Sequence, residues 1–243
     1  MGFGLLSESD SPLRHFGFIA ALPQEARVLS SRLSAMGSST TLGLGCRLVV
    51  SGMGPLRARR AAERLLDEGV LGLVSWGTCG GLAPGLPIGT LVLADTVLGP
   101  DGMRLPVAYL PALFLADIKP GMVRRGPLLS VSEAVTTVAE KARYYQATGA
   151  LGVDMESAEL AQVAKERGVD LYVIRSIVDA AEEALPSFLV EAIDEVGRLR
   201  IGTLLAGLGF NPRKWAALWR LHKSFGRARG MLARVAAGLG LRP

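Results

Sequence analysis

The residues of this chain that could do chemistry include three carboxylates placed where apolar runs end. Glu25 opens a helix-like segment directly after the apolar run FGFIAA. Glu156 opens a second such segment after a shorter run, and Asp179 ends the apolar residues 171–178. Carboxyl groups can serve as general acid and general base when their surroundings move their pKa values towards neutrality. Their positions at the ends of apolar runs make the three groups candidate functional residues, provided that the fold brings them together.

One arginine and one glycine-rich segment complete this set. Arg175 lies inside an apolar run, where an unpaired charge would be costly, so it needs a carboxylate partner, and Glu156 is a candidate. Residues 77–81 (GTCGG) follow another apolar run, and their small side chains let backbone N–H groups approach an anion or a hydroxyl. Structural interpretations stay open, because Glu25 suits a helix dipole, Glu156 and Asp179 suit helix caps, and the glycines suit a plain turn.

The elements that must position these groups follow from an alternation of apolar runs and helix-like segments. We expect strands at the short apolar runs, which are residues 16–21, 46–51, 70–76, 88–97, 126–132, 150–154 and 171–178. We expect helices at residues 23–35, 55–68, 133–148 and 155–167, and an irregular excursion over residues 99–121. This alternation, which ends in a β-α-β unit, predicts an α/β fold with a largely parallel sheet. Ligands of such sheets gather beyond the carboxyl ends of the strands, so the sequence predicts one site there.

The charge is distributed unevenly along the chain. The net charge is +5, yet residues 211–243 carry eight Lys and Arg and no acidic residue, against 19 basic and 22 acidic residues in residues 1–210. We therefore divide the chain into a body, 1–210, and a basic helical tail, 211–243. Trp215 and Trp219 flank an apolar stripe of the tail, which consists of Leu218, Leu221, Phe225, Ala228, Leu232, Val235 and Leu239. This pattern is typical of a helix at a membrane surface, and the alternative is a helix docked on the body with its basic face in solvent.

The composition excludes several other classes of protein. With 243 residues, of which 49% are hydrophobic and 20% charged, the chain fits a folded soluble protein. Two cysteines exclude a disulfide scaffold, and two histidines outside any ligand pattern argue against a metal site. No charge-free apolar run reaches the roughly 18 residues of a membrane span. The first 15 residues have no signal-peptide pattern and the body has no basic groove motif, so we expect a cytoplasmic protein without a nucleic-acid partner.

Four blocks of the chain carry a family resemblance. They are residues 17–29 (GFIAALPQEARVL), 49–54 (VVSGMG), 75–95 (SWGTCGGLAPGLPIGTLVLAD) and 152–181 (GVDMESAELAQVAKERGVDLYVIRSIVDAA). In this order they resemble the purine nucleoside phosphorylase/nucleosidase superfamily, in particular the 5′-methylthioadenosine/S-adenosylhomocysteine nucleosidases. The GMGP turn, the ATGALGVDMES block and the basic C-terminus are similar above all to the bacterial branch called hopanoid-associated phosphorylase.

The resemblance implies a fold and an activity. The fold is a three-layer α/β/α arrangement with a mixed, largely parallel central sheet, here joined to a basic amphipathic C-terminal helix. Residues 1–210 would be the catalytic domain, which cleaves the N-glycosidic bond of an adenine nucleoside without a cofactor. The branch is thought to release adenine from adenosylhopane during hopanoid synthesis. Such a reaction passes through an oxocarbenium-like ribose.

The resemblance also implies roles for individual residues. Asp179 matches the general acid that protonates the purine N7, Glu25 matches the base that activates water, and Glu156 matches the residue that binds the ribose hydroxyls. The other site residues are expected to bind substrate, and they are Met155 beneath the ribose, Thr78 near the nucleophile, Ala134 and Val135 against the base through their backbone, Gly80 and Arg175.

The nucleophile is water or phosphate. Ser75 stands where related hexameric phosphorylases have an arginine that binds phosphate, and with Glu25 retained this difference favours water. Phosphate as a co-substrate stays an alternative, because Arg57, Arg59 or Arg60, after the GMGP turn, could bind it instead.

Two other functions stay open at the level of sequence. The first is a soluble nucleosidase acting on methylthioadenosine or S-adenosylhomocysteine, with the tail as a docking or oligomer helix. The second is a nucleoside-binding protein without catalysis, against which the retained Glu25, Glu156 and Asp179 argue. We expect a homo-oligomer, as family members commonly are, and, with a hopanoid substrate, a peripheral location at the inner face of the membrane through residues 211–243.

Overall fold

The strands of the protein form one mixed sheet. The computed structural model describes residues 13–186, 209 and 211–241, so residues 1–12, where most of the segment without a signal-peptide pattern lies, and the predicted domain boundary at residue 210 fall outside the described part. Its strands are β1 (Phe16–Ala20), β2 (Ser39–Thr41), β3 (Arg47–Val50), β4 (Gly72–Gly81), β5 (Leu91–Leu98), β6 (Arg104–Pro106), β7 (Val123–Ser130), β8 (Gly152–Asp154) and β9 (Asp170–Asp179). They lie in the order β2-β3-β1-β4-β8-β7-β5-β6, and β9 pairs with both β4 and β5.

Helices cover both faces of this sheet. Those within the described residues are α1 (Pro23–Ala26), α2 (Pro55–Asp67), α3 (Val138–Thr148), α4 (Ser157–Arg167) and α5 (Pro212–Gly238). Small side chains of α2 and α4, such as Ala62 and Ala161, pack with Leu73 on one face. On the other face, α1 and α5 pack against a core that contains Phe18 and Trp76. The predicted three-layer α/β/α fold with a mixed sheet and an added C-terminal helix is confirmed.

Five strands close a ring in the middle of the sheet. β9 pairs with β4 and β5, β5 pairs with β7, β7 with β8, and β8 returns to β4. β8 is antiparallel to β4 whereas β9 is parallel to it, so residues 150–178 do not form a β-α-β unit with parallel strands. The predicted β-α-β unit was wrong because β8 is only three residues long. Of the residues of β4, β8 pairs with the last two alone.

The glycine-rich segment 77–81 belongs to β4, whereas we expected a loop there, after a strand that ends at residue 76. Its residues pair with β9 as far as Gly80, with a register shift between Cys79 and Gly80, and Gly80 and Gly81 also pair with β8. Glycine is needed because neighbouring backbone comes close, and a Cβ on Gly81 would lie 3.0 Å from the carbonyl oxygen of Asp179. Small residues at this point let neighbouring strands come close to β4. The segment still lies at the carboxyl edge of the sheet.

Two predicted helices are shorter than expected. The segment predicted as a helix over residues 23–35 is helical only to Ala26, because serines beyond it bind backbone groups instead: the Ser30 hydroxyl donates to the carbonyl of Arg32. The helix predicted from residue 133 begins at Val138, where Thr137 and Glu140 form a capping box. The residues freed at 133–137 border the site described below.

The two halves of the C-terminal helix α5, residues 212–225 and 226–238, differ in their burial. In its second half, Ala228, Leu232 and Val235 of the predicted stripe are buried in the core, as is Leu239 just beyond the helix, and burial of each large apolar side chain is worth about 1.5–3 kcal/mol. A Cβ on Gly238 would overlap the carbonyl oxygen of Phe114, so glycine permits this close docking. The second half of the predicted membrane-facing stripe therefore packs on the body, as the docked alternative predicted.

Candidate active site

One cavity of about 170 Å³ lies at the carboxyl edge of the sheet. Its lining includes every residue that the sequence assigns to the site, namely Glu25, Thr78, Gly80, Ala134, Val135, Met155, Glu156, Arg175 and Asp179. These residues come from the ends of β4 and β9, from α1, from the turn after β8 and from the segment before α3. The structure thus brings together groups that are up to 154 positions apart in the sequence, counted from Glu25 to Asp179.

Glu25 is fixed by a short helix and by β4. It is the third residue of α1, where its Oε2 accepts a hydrogen bond from the backbone N–H of Leu22 at 3.1 Å. Its Oε1 accepts two more from Thr78, from the backbone N–H at 2.8 Å and from the hydroxyl at 2.7 Å. Burial raises the pKa of Glu25 above its ordinary value, while the charge of Arg175 and the bonds from Thr78 hold it down. A carboxylate so placed can act as a base near neutral pH.

Arg175 is the centre of a buried cluster of charges. Its Nη2 lies 2.7 Å from Asp154 Oδ2 and 3.7 Å from Glu156 Oε2. The sequence proposed Glu156 as its partner, whereas the nearer carboxylate is Asp154, at the very end of β8. The same nitrogen donates to the Ser75 hydroxyl at 2.7 Å, and the arginine is 2% exposed. Strand β8 thus supplies the ion pair that allows a guanidinium inside the sheet.

Glu156 faces the glycine turn that precedes α2. Its Oε1 accepts a hydrogen bond from the backbone N–H of Gly54 at 3.0 Å, which explains why the GMGP turn lies beside the site. Burial, and next the charge of Asp154, raise the pKa of Glu156 to about 7, and Arg175 opposes this rise. The group therefore changes its charge near neutral pH.

Asp179 ends β9 and lines the same cavity. It is 4% exposed and forms a buried ion pair with Lys141 of α3, which binds its Oδ2. Burial raises the pKa of Asp179 above its ordinary value, and the ammonium of Lys141 acts in the opposite direction. A carboxyl group with a raised pKa retains its proton to a higher pH, as a general acid must.

Close approach explains the glycines around these carboxylates. A Cβ on Gly77 would lie 2.7 Å from Arg175 Nη1 and 2.8 Å from Glu25 Oε2, so no larger residue fits between them. A Cβ on Gly80 would lie 3.5 Å from Asp179 Oδ2. Small residues at these positions let the end of β4 form the floor of the cavity.

Apolar side chains form the rest of the wall. Val135 and Val153 are both buried, and they line the cavity together with Met155. Ten further residues line the cavity without a role assigned from the sequence, and they are Ala21, Leu22, Met53, Cys79, Val131, Glu133, Val153, Asp154, Val178 and Leu185. Asp154 could have been found from its position in the DME block, two residues before Glu156. Lys141, which contacts the site through Asp179, has only one sequence signal, a charge on the inward face of α3.

A second cavity of about 320 Å³ adjoins the first. Asp179 and Leu185 line both cavities, and the second one continues to Arg220, Leu221 and Ser224 of α5. The tail helix therefore contributes a wall next to the site as well as a buried contact with the body.

The described residues contain no group of three His, Cys, Asp or Glu side chains that could hold a metal ion. The polar groups of the cavity are carboxylates, one guanidinium and one hydroxyl, set in apolar walls. Such a set can bind hydroxyl groups, stabilise a positive charge and move protons.

Known proteins resemble this chain in sequence and in fold. A 5′-methylthioadenosine/S-adenosylhomocysteine nucleosidase of Haemophilus influenzae is 26% identical over 224 residues, which cover 77% of this chain and 97% of that protein. A futalosine hydrolase of Streptomyces coelicolor is 28% identical over 184 residues, which cover 64% of this chain and 78% of that protein. The fold matches the nucleosidase of Neisseria meningitidis in complex with methylthio-immucillin-A, with a TM-score of 0.67, 18% identity and coverage of 93% and 97% of the two chains.

The family itself is shown by a match along most of the chain. Residues 16–208 match the model of the Phosphorylase superfamily, and this range contains every residue of the candidate site. The predicted resemblance is thereby confirmed at the level of the superfamily, and the chain belongs to the Phosphorylase superfamily as an enzyme that cleaves N-glycosidic bonds.

Proposed function

We propose that this enzyme releases adenine from an adenine nucleoside that carries a large apolar group on its ribose, with adenosylhopane as the substrate. One observation carries the coarser part of this proposal: Glu25, Glu156 and Asp179 line one cavity, Glu25 and Glu156 beside Arg175 and Asp179 beside Lys141. A nucleoside placed between them has a base candidate on the ribose side and an acid candidate on the purine side.

The proposed reaction uses the two sides in one step. Glu25 takes a proton from water, whose oxygen forms a bond to C1′ of the ribose while the bond from C1′ to N9 breaks. The electron pair of that bond goes to adenine, and the protonated Asp179 donates its proton to N7. The raised pKa of Glu25 makes its ionised form a stronger base, and the raised pKa of Asp179 lets this acid keep its proton to a higher pH.

The transition state of this reaction carries positive charge on the ribose. Three buried carboxyl groups, those of Glu25, Asp154 and Glu156, surround the single guanidinium of Arg175. When they are ionised, the cluster is net negative and favours the positive ribose over the neutral substrate. Because these carboxyl groups are buried, their fixed charges act more strongly than they would in bulk water.

Water is the nucleophile that the contacts support. Arg59, one of the alternatives for phosphate binding, is paired on the surface with Glu159 at 3.3 Å and Glu166 at 2.5 Å. Arg175 is neutralised by Asp154, so it is a poor site for an added dianion. Phosphate stays a second candidate, and we propose no other cofactor and no metal.

The apolar group of the substrate is proposed to enter the second cavity. That cavity begins at Asp179 and Leu185 and ends at the first half of α5, where Trp215 is 47% and Trp219 is 58% exposed. Lys223 lies 3.6 Å above the ring of Trp219, and Arg220 is exposed. Exposed tryptophans among basic side chains suit an anionic lipid surface.

This half of α5 would place the enzyme at the inner face of the membrane, in the cytoplasm. Helix α5 does not span it, because no helix within the described residues is long and apolar enough to cross a bilayer. The proposed contact is therefore peripheral, and the buried second half of α5 anchors it to the body.

A soluble nucleosidase acting on methylthioadenosine or S-adenosylhomocysteine is the second candidate. The relatives at 26–28% identity include proteins of that name, and the alignment covers 97% of the Haemophilus protein. In both cases we propose a homo-oligomer, for which the exposed Leu71 offers apolar surface. Sedimentation velocity would measure its size.

The experiment is a measurement of free adenine. The full chain is incubated with adenosylhopane in liposomes of phosphatidylglycerol and phosphatidylcholine and, separately, with methylthioadenosine, each with and without phosphate. We expect adenine from adenosylhopane without phosphate. Release of adenine from methylthioadenosine alone would support the soluble nucleosidase. Strict dependence of the release on phosphate would show that phosphate, and not water, is the nucleophile.

A matched pair of variants tests the tail. Trp215→Ala/Trp219→Ala removes the exposed tryptophans of α5, and Tyr109→Ala removes an exposed aromatic ring elsewhere. We expect the double variant to lose at least half of its activity on liposomes and to keep its activity on methylthioadenosine, whereas Tyr109→Ala keeps both. Equal activity of all three proteins on liposomes would contradict the membrane contact.

A further inference from the structure

Lys141 is a fully buried lysine beside the candidate general acid. It lies on α3 with 0% exposure, whereas Val138, one turn earlier in that helix, is 41% exposed. Its ammonium group donates to Asp179 Oδ2, to the carbonyl oxygen of Ala180 at 2.7 Å and to that of Glu183 at 2.7 Å. An ammonium has three donors, so all of them are used.

This arrangement joins three parts of the chain at one point. Lys141 links α3 to the end of β9 and to the turn that follows it, residues 180–183. Within the described residues, the carboxylate of Asp179 receives a hydrogen bond at Oδ2 alone, from Lys141. Oδ1 of Asp179 is therefore the oxygen left for a ligand in the cavity that this residue lines.

We propose that Lys141 is a positioning residue for the general acid: it holds one oxygen of Asp179 and the turn after it, and so presents the other oxygen to the purine ring. The inference rests on the proposed function, because it needs Asp179 to act as the acid. It adds a residue of α3 to a mechanism otherwise built from the ends of strands and from α1.

The cost of burying an ammonium supports this role. A buried lysine without partners would be expelled or neutralised, so its place here requires the acceptors that it has. A surface lysine could not restrict the rotation of Asp179 in the same way. Lys165, in the last turn of α4, is exposed and far from the cavity, and serves as the matched control.

The same contact couples position to charge. The titratable groups that act on Asp179 are Lys141 from α3 and Glu183 from the following turn, whereas burial raises the pKa of the nearby Cys79 thiol of β4 and keeps it neutral. Lys141 lowers the pKa of Asp179, whereas burial and Glu183 raise it. Loss of the positive charge must therefore extend the pH range in which Asp179 is protonated.

The test compares Lys141→Met, Lys141→Gln, Lys141→Arg and Lys165→Met in adenine release from the nucleoside that the wild type cleaves best. For Met and Gln we expect kcat to fall about tenfold or more, with KM changed less, because the acid is misplaced. The alkaline limb of the profile of kcat against pH should move up by about one unit or more. Lys141→Arg should restore the limb to its wild-type position, and Lys165→Met should match the wild type.

The outcomes separate this inference from its foundation. Thermal unfolding identifies variants that do not fold, and Lys141→Gln keeps a donor for the carbonyls if Lys141→Met is unstable. A fall in kcat with an unmoved alkaline limb in folded variants, or unchanged kcat, overturns the positioning role. If the wild type releases adenine from none of the nucleosides tested, the proposed function is overturned, and this inference with it.

Discussion

The two sides of the candidate cavity hold their carboxylates in different ways. On one side, Glu25, Asp154 and Glu156 share the single positive charge of Arg175. On the other side, Asp179 has a lysine of its own, Lys141. Burial raises the pKa values of Glu25, Glu156 and Asp179, so burial alone does not distinguish the two sides.

The difference between them lies in the net charge. The side around Arg175 has more carboxyl groups than positive charges and becomes negative as the pH rises, which suits a positive ribose. The side of Asp179 is a one-to-one pair, whose carboxyl group can accept or release a proton without leaving a net negative pocket. The comparison teaches that one cavity can separate charge stabilisation from proton transfer through the number of carboxyl groups that share the one cation of each side.

The largest expected effect comes from the proton-transfer side. Asp179→Asn keeps the shape of the side chain and removes the proton that adenine must receive, so kcat should fall roughly 10³-fold. The measurement is adenine release at neutral pH, with nucleoside binding followed by calorimetry. Retained binding with lost turnover separates this enzyme from a nucleoside-binding protein, and unimpaired turnover would contradict the role of Asp179.

On the charge-stabilising side the loss should be smaller. Glu156→Gln removes one of several negative groups, and we expect kcat to fall about 10²-fold. In the wild type, activity should decline as the pH falls through about 7, since Glu156 becomes protonated there. A decline of the same shape in the Gln variant would assign the acidic limb to another group, such as Glu25.

A hydrogen bond on the same side should have a still smaller effect. Thr78→Val removes the hydroxyl that donates to Glu25 Oε1 at 2.7 Å, while the backbone bond of 2.8 Å stays. Loss of this bond raises the pKa of Glu25, so activity on the acidic side of the profile should fall about fivefold. Thr78→Ser keeps the hydroxyl and is the control, and equal profiles for the two variants would remove the hydroxyl from the account.

The raised pKa of Glu156, on the charge-stabilising side, should also affect the free energy of unfolding of the protein without substrate. The pKa of Glu156 is about 7 in the folded chain against 4.5 for an ordinary glutamate, so its protonated form contributes stability that is full below pH 4.5 and lost as the pH rises through 7. The free energy of unfolding of Glu156→Gln, relative to the wild type, should therefore increase between pH 5 and pH 8, by on the order of 1–3 kcal/mol. Urea unfolding at both pH values measures it, and a constant difference would contradict the raised pKa.

Local sequence patterns predicted the site better than they predicted some of its supports. The strand ends before Glu25 and Glu156 and at Asp179 could be recognised from apolar runs. The family resemblance implied further residues, among them Met155, Ala134 and Val135, and all nine residues of the predicted site line the cavity. The glycine-rich segment 77–81 was mistaken for a loop because its pairing with β8 and β9 is a long-range property. The roles of these residues stay predictions.

Long-range contacts explain what the sequence did not reveal. Asp154 and not Glu156 is the closer partner of Arg175, since the end of β8 decides which carboxylate reaches β9. Lys141 looks like any helix lysine until α3 is placed against the turn after β9. The stripe of α5 is periodic throughout, yet only contact with the body divides it into a buried and an exposed half.

The measurement that tests the central claim most directly is the release of free adenine by the purified full chain, followed by chromatography, for methylthioadenosine and for adenosylhopane in liposomes. The account predicts adenine from at least one of them with the wild type, and release slower by roughly 10³-fold with Asp179→Asn although the nucleoside still binds. Binding of both nucleosides by the wild type without release of adenine from either would contradict it.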